Sequence, residues 1–281
     1  MNNFKIKSYA KINLALNITG KTSKLHKIES IVSFIDLHDV IDLKVTNNKF
    51  HKVSFSGKFS KNINEKNTVS MLLKLLDKKK LLQDKKFDIK IIKNIPQKAG
   101  MGGGSMNASS LLNFFIKKKL IQVKKNELVR LAKLIGSDVI LGINPSDTIL
   151  SKNGKIKKFD KQAKLHVLAV KPNFGCSTKY IYSKVNTFTK SQFDSQGRSM
   201  FKIDYLKTLN NDLEKIVFDK YPRLKKIKSF LLTIPNTIFV RMSGSGSSII
   251  AYFHSKKACG IAYSQFKRKF NSHWCIISKT I

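Results

Sequence analysis

The stretch Lys93-Asn94-Ile95-Pro96-Gln97-Lys98-Ala99-Gly100-Met101-Gly102-Gly103-Gly104-Ser105-Met106-Asn107-Ala108-Ser109 decides the fold. Before it, Phe87-Asp88-Ile89-Lys90-Ile91-Ile92 reads as a buried strand that ends in a turn at Pro96. After it, a helical pattern runs from Ser105 to about Lys119. Met106, Ser109, Ser110, Asn113 and Phe114 share one face, and Ser105 is placed to cap the helix. Strand, glycine loop and helix together aim bare backbone N–H groups and a helix N-terminus at an anion. The loop lacks the Lys-Ser/Thr that ends a Walker sequence and the G-x-G-x-x-G of dinucleotide binders. A hinge seldom leads straight into a capped helix, so phosphate binding is the better reading of the glycines.

At 281 residues the chain can hold one large domain or two of ordinary size. Its 42% hydrophobic content places it with globular rather than disordered proteins. No apolar run reaches membrane-span length, and no continuous apolar core marks a signal peptide. Cys176, Cys259 and Cys275 show no C-x-x-C spacing and read as reduced thiols of a cytoplasmic protein. The six His residues fit no metal-binding spacing, so no structural metal is expected. The formal charge of +37 raises the question of a nucleic-acid partner. Yet the excess is nearly all Lys, with Arg only at 130, 198, 223, 241 and 268, and it is spread through every segment. Base and phosphate readers lean on the bidentate Arg fork. The pattern therefore predicts background attraction to polyanions without a specific nucleic-acid partner.

Lys11 to Ile18 alternates as a half-buried strand, with Ile12, Leu14, Leu16 and Ile18 on one face and Lys11 and Asn13 on the other. Further strands are predicted at 28–37, 40–45 and 53–55, joined by short polar turns, followed by a helix capped by Asn67. A short helix over 126–135 stops at Gly136, and Asp138 just beyond it reads as a helix start. A hairpin at 148–151 and 155–159 turns on Asn153-Gly154. The second half alternates strands (165–171, 238–242, 248–253, 274–278) with helices (211–220, 222–232, 256–270), a small α+β sandwich. Residues 186–200 are polar and read as a loop.

Three stretches stand in one order: Ala10-Lys11-Ile12-Asn13-Leu14, Pro96 to Ala108, and Arg241-Met242-Ser243-Gly244-Ser245-Gly246. Together they resemble the three motifs of the GHMP small-molecule kinases. Gly136-Ser137-Asp138-Val139, Lys171 to Tyr182, and Asn211-Asp212-Leu213-Glu214 before Tyr221-Pro222 extend the resemblance over essentially the whole chain. They narrow it to the branch that acts on a cytidine-diphosphate-linked methylerythritol.

The resemblance implies an α+β fold of two domains: a ribosomal S5 domain 2-like, ATP-binding domain over 1–160 and a ferredoxin-like domain over 161–281. It implies ATP-dependent phosphorylation of a tertiary 2-hydroxyl in non-mevalonate isoprenoid precursor biosynthesis, with ATP and Mg²⁺ and a monomer or weak homodimer. By match, Lys11 and Asp138 are the catalytic pair. A hydroxyl needs a base to accept its proton, and an ammonium steadies charge developing on oxygen. Pro96, Lys98, Ala99, Gly100, Met101, Gly102, Gly103, Gly104, Ser105, Met106 and Asn107 are matched to ATP. Asn13, Leu25, His26, Asp138, Tyr182, Ser243, Gly244, Ser245 and Gly246 are matched to the acceptor substrate.

Three positions depart from the family. Lys24-Leu25-His26 replaces Gly-Tyr-His and loses an aromatic that would stack on cytosine, Ile140 replaces a proline, and Asn107 stands where many members have Asp. Competing readings are a GHMP kinase for a homoserine- or mevalonate-type alcohol, and a basic, non-catalytic RNA-binding protein on an S5-like fold.

Overall fold

The structure, a computed structural model, describes residues 3–23, 25–160, 162 and 164–281. Two long strands open the chain, β1 (Asn3–Lys21) and β2 (His26–Thr46), and they pair with each other. The described residues of Met1–Lys11, Leu37–Gln97 and Gly102–Pro145 form one compact unit. Those of Ile12–Asp36, Lys98–Met101 and Ser146–Ile281 form a second.

In the first unit, β3 (Lys52–Ser56) pairs parallel with β4 (Lys86–Ile92), and β4 pairs antiparallel with the second half of β2. Three helices, α1 (Thr68–Lys78), α2 (Gly103–Lys117) and α3 (Lys125–Ile135), bury Leu72, Leu76, Leu111, Phe115 and Leu131 against Ile41, Leu43, Ile89 and Ile91. Asn67 caps α1 as expected, its side chain accepting the Val69 and Ser70 N–H groups while the Ser70 hydroxyl accepts from the Asn67 N–H.

In the second unit, β5 (Asp147–Leu150) pairs with the first half of β2 and with β6 (Ile156–Phe159). A separate antiparallel sheet has the order β10-β7-β9-β8, built from β7 (His166–Lys171), β8 (Phe239–Met242), β9 (Ile249–Phe253) and β10 (Trp274–Lys279). Helices α6 (Leu213–Lys220), α7 (Pro222–Thr233) and α8 (Lys256–Lys269) supply Val217, Ile227, Leu231 and Phe266 to its core. Two short helices between, α4 (Thr178–Ser183) and α5 (Ile203–Thr208), are six residues each, too short to show a helical period in sequence.

The structure corrects three expectations. β2 has no turn near residue 38, because Asp39 is a buried strand residue rather than a turn former. Its carboxylate accepts the Asn94 and Ile95 N–H groups at 2.7 and 2.8 Å and pairs with the Lys93 ammonium. Ser105 caps nothing: α2 starts at Gly103, with Gly102 at the cap in the left-handed region (φ 68°). α2 spans Gly103–Lys117 rather than 105 to about 119, and of the face read from the sequence Met106 and Ser109 are buried while Ser110, Asn113 and Phe114 are half-buried.

Candidate active site

Within the first unit the glycine run is fixed by what surrounds it. A Cβ on Gly103 would come 3.1 Å from Ile95 Cγ2 and 3.3 Å from Lys93 Nζ, and one on Gly104 3.2 Å from Thr68 Oγ1. The Thr68 hydroxyl donates to the Gly104 carbonyl at 2.7 Å. No side chain caps α2, so the N–H groups of its first turn and the positive end of its dipole are offered to an anion. Pro96 is buried where β4 hands over to this loop.

Lys11 reaches the same place from β1. Gly102 lies against it, since a Cβ there would sit 2.9 Å from Lys11 Cγ. The Lys11 ammonium, nearly all buried, lies 3.3 Å from Asp138 Oδ2, whose side chain keeps 33% exposure. A buried cation facing a part-exposed carboxylate leaves the carboxylate reachable by a substrate hydroxyl. Asp138 therefore caps no helix; it opens a 3-10 turn over Val139–Gly142 without any side-chain cap bond. That turn is pinned to α2: Asn113 Nδ2 donates to the Gly142 carbonyl at 2.9 Å, and a Cβ on Gly142 would lie 2.1 Å from Ser109 Oγ. Ile140, at the position of the family's proline, sits within the turn and is half-buried.

In the second unit the other half of the loop meets the serine-glycine loop. Gly100 is in the left-handed region (φ +73°), and a Cβ on it would fall 1.8 Å from the Ser243 carbonyl oxygen. The Ser243 hydroxyl donates to the Gly100 carbonyl at 2.9 Å, while the Ser247 and Ser248 N–H groups donate to the Lys98 and Ala99 carbonyls, each at 3.2 Å. Met101 is buried. The Asn13 N–H donates to Ser243 Oγ at 3.3 Å and its side-chain amide to Ser30 Oγ at 2.9 Å. The Ser245 and Thr178 hydroxyls share a 2.8 Å hydrogen bond, and Gly246 N–H donates back to the Ser243 carbonyl at 3.0 Å.

His26 and Tyr182 also meet here, with ring centroids 5.3 Å apart. Burial, helped by Lys21, holds His26 below its ordinary pKa, so its ring is neutral near pH 7. Its Nε2 is buried without a protein partner among the described residues, as suits a group that reads a ligand. Leu25 is 73% exposed and is no core residue. Lys24 lies outside the described residues.

Two supports escaped the sequence reading. Asp39 and Lys93 brace the start of the glycine loop, and burial pushes the Lys93 ammonium down while Asp39 offsets that shift. Lys171 is buried, its ammonium donating to the Pro172 and Phe174 carbonyls at 2.9 and 2.8 Å. The Phe174 carbonyl also accepts from Ser247 Oγ at 2.8 Å, so Lys171 ties residues 172–174 to the serine loop. Both lysines lie in stretches quoted from the sequence, but nothing along the chain shows what they brace.

The glycine loop and the Lys11–Asp138 pair lie in a chain that belongs to the GHMP kinases. The family descriptions that match are the GHMP kinases N terminal domain over residues 67–154 and the GHMP kinases C terminal over 189–272. A 4-diphosphocytidyl-2-C-methyl-D-erythritol kinase of Pelagibacter ubique is 68% identical over 281 residues, covering 100% of both chains. One of Clostridium tetani is 32% identical over 99% of this chain and 100% of its own. The chain belongs to the 4-diphosphocytidyl-2-C-methyl-D-erythritol kinase family. A crystal structure of 4-(cytidine 5'-diphospho)-2C-methyl-D-erythritol kinase superposes with a TM-score of 0.79 at 20% identity, over 98% of this chain and 99% of that one. A homoserine kinase from Cytophaga hutchinsonii gives 0.74 at 15% identity, covering 100% and 95%. At such identities both bear on the fold alone. The full-length relatives do not favour a homoserine or mevalonate kinase or an RNA-binding protein.

Proposed function

We propose that this chain transfers the γ-phosphoryl group of ATP to the 2-hydroxyl of 4-diphosphocytidyl-2-C-methyl-D-erythritol, with Asp138 as base and Lys11 as the electrostatic partner. The observation that carries the two roles is their 3.3 Å contact at a site that Gly102 lines. Asp138 accepts the hydroxyl proton as the oxygen–phosphorus bond forms and the bond to the bridging oxygen of ADP breaks. The Lys11 ammonium steadies charge on the attacking oxygen. The first turn of α2 takes phosphate oxygens on its N–H groups, and loop 98–101 completes the nucleotide contacts from Lys98 to Met101. His26 and Tyr182 take the cytosine, Leu25 covers it, and Asn13 and residues 243–246 orient the polyol and its diphosphate.

Magnesium, when bound, would neutralise charge on the ATP phosphates. Among the described residues no trio of His, Cys, Asp and Glu is grouped to hold a metal. An ion carried largely by phosphate and water would suit this site, and Asn107 Oδ1, buried and without a hydrogen-bond partner among the described residues, is the acceptor at hand. Family domains matching 67–154 and 189–272 support a nucleotide domain over 1–160 and a second domain over 161–281. The buried free thiols of Cys176 and Cys259 support a reducing, cytoplasmic setting. A monomer or weak homodimer with no specific nucleic-acid partner remains the reading.

The experiment is an acceptor screen with purified protein, ATP and Mg²⁺, read by mass spectrometry. Phosphorylated product should form from the cytidyl substrate and not from homoserine or mevalonate. Turnover of either of those alone would overturn the assignment.

A further inference from the structure

Away from the loops just described, the second unit holds a cavity of about 410 Å³ lined by Ser146, Lys157, Lys158, Phe159, Asp160 and Arg198. Its volume lies within the roughly 300–1,000 Å³ typical of small-molecule sites. Three cations against one carboxylate leave two positive charges in excess. The lysines come from β6 and the arginine from a segment some forty residues later, so the convergence is made by the fold rather than by a run of sequence.

The two walls are fastened together. Lys157 Nζ donates to the Gln196 carbonyl at 2.8 Å, and the buried Gln196 amide donates to the Ile149 and Lys155 carbonyls at 2.9 and 3.0 Å. Behind them Phe159 and Phe201 meet edge to face with centroids 5.5 Å apart. This makes the concavity rigid and gives it an apolar floor. A solvated lysine face would have neither feature.

We propose that this cavity is a second anion site, taking a small phosphorylated compound with at least two negative charges, bound by Lys158 and Arg198. Arg198 can offer a planar fork to two phosphate oxygens, Lys158 and Lys157 compact point charges, and Ser146 a hydroxyl. The state of Lys158 agrees: burial pushes its ammonium down to about 8, a cost that a bound anion would relieve.

The test is calorimetric titration of the full chain with inorganic pyrophosphate, with inorganic phosphate as a second arm. Arg198→Met, Lys158→Met and, as a charge-matched control, Lys225→Met are compared, and melting temperatures confirm that each is folded. Wild type and Lys225→Met should bind a second equivalent of pyrophosphate beyond the one at the nucleotide loop. Arg198→Met and Lys158→Met should weaken that second equivalent at least about tenfold, the loss of one charge-assisted hydrogen bond. Inorganic phosphate should bind more weakly than pyrophosphate. Equal binding by all four proteins, a control that loses as much as the others, or a single equivalent in wild type would overturn the proposal. Should Lys158→Met fail to fold, Arg198, which is exposed, decides alone.

Discussion

Lys11 is an ammonium with 5% side-chain exposure, and a buried cation is costly unless it is paired. Asp138 is the partner seen, and proton transfer to that carboxylate would leave Lys11 facing the attacking oxygen. Lys11→Met should therefore lower kcat by about 10²–10³-fold, the usual effect of removing a preorganised electrostatic group, with KM for either substrate changed much less. Steady-state kinetics check this, and a change confined to KM would reduce Lys11 to a binding residue. Leu25 and Tyr182 belong to the same scale. Leu25 is exposed and offers dispersion but no π-face, whereas Tyr182 is already in contact with His26. Leu25→Tyr should lower KM for the cytidyl substrate, and Tyr182→Ala should raise it more than Leu25→Ala does, each leaving KM for ATP alone. Equal shifts for both substrates, accompanied by lower melting temperature, would contradict the stacking role. Lys11, Asp138, His26 and Tyr182 could be named as candidates because they lie in or beside stretches that resemble family motifs. The bracing contacts of Ser30, Lys93 and Lys171 could not be read, even though both lysines open quoted stretches, since a hydroxyl or ammonium that holds other side chains or carbonyls in place leaves no pattern along the chain.

Among the elements, the loop between β4 and α2 is the most tightly constrained by its surroundings. Its glycines are needed for different reasons: Gly103 and Gly104 for closeness to Ile95, Lys93 and Thr68, Gly100 for both closeness and a left-handed backbone. Gly100→Ala forces a methyl to within 1.8 Å of the Ser243 carbonyl unless the loop moves, so ATP affinity should fall and the melting temperature drop. Isothermal titration with a non-hydrolysable ATP analogue, beside thermal melts, reads both; unchanged affinity in a folded variant would place the nucleotide elsewhere. The order strand, loop, helix was legible from apolar runs and glycines. The helix start was not, because Ser105 looks like a cap and the glycines before it look like loop, whereas packing makes Gly103 helical. β2 was split wrongly for a related reason. Asp39 has the composition of a turn, and only the Asn94 and Ile95 N–H groups, some 55 positions away, show that it is a strand residue with buried partners.

Over the whole molecule, charge and pH are the levers. Burial, with Arg223 and Lys267 nearby, holds His273 below its ordinary 6.5, and it packs against Phe266 and Phe270. The folded chain thus binds that proton less readily than the unfolded chain. This stabilisation is complete above about pH 6.5 and is lost as pH falls through the depressed folded value. The melting temperature should therefore decline as pH falls below about 6.5, and decline less in His273→Gln, as calorimetry can show; identical slopes would contradict it. The +37 charge and its spread over many lysines were legible in the sequence. β1 and β2 each contribute to both units, an interleaving that a linear reading cannot display. The role of Asp138 as general base is read by single-turnover phosphorylation of the cytidyl substrate by wild type and by Asp138→Asn, with ATP affinity measured on both. The variant's rate should be lower by about 10²–10⁴-fold at nearly unchanged ATP affinity, as expected for loss of a general base. A variant that phosphorylates the substrate at the wild-type rate would contradict it.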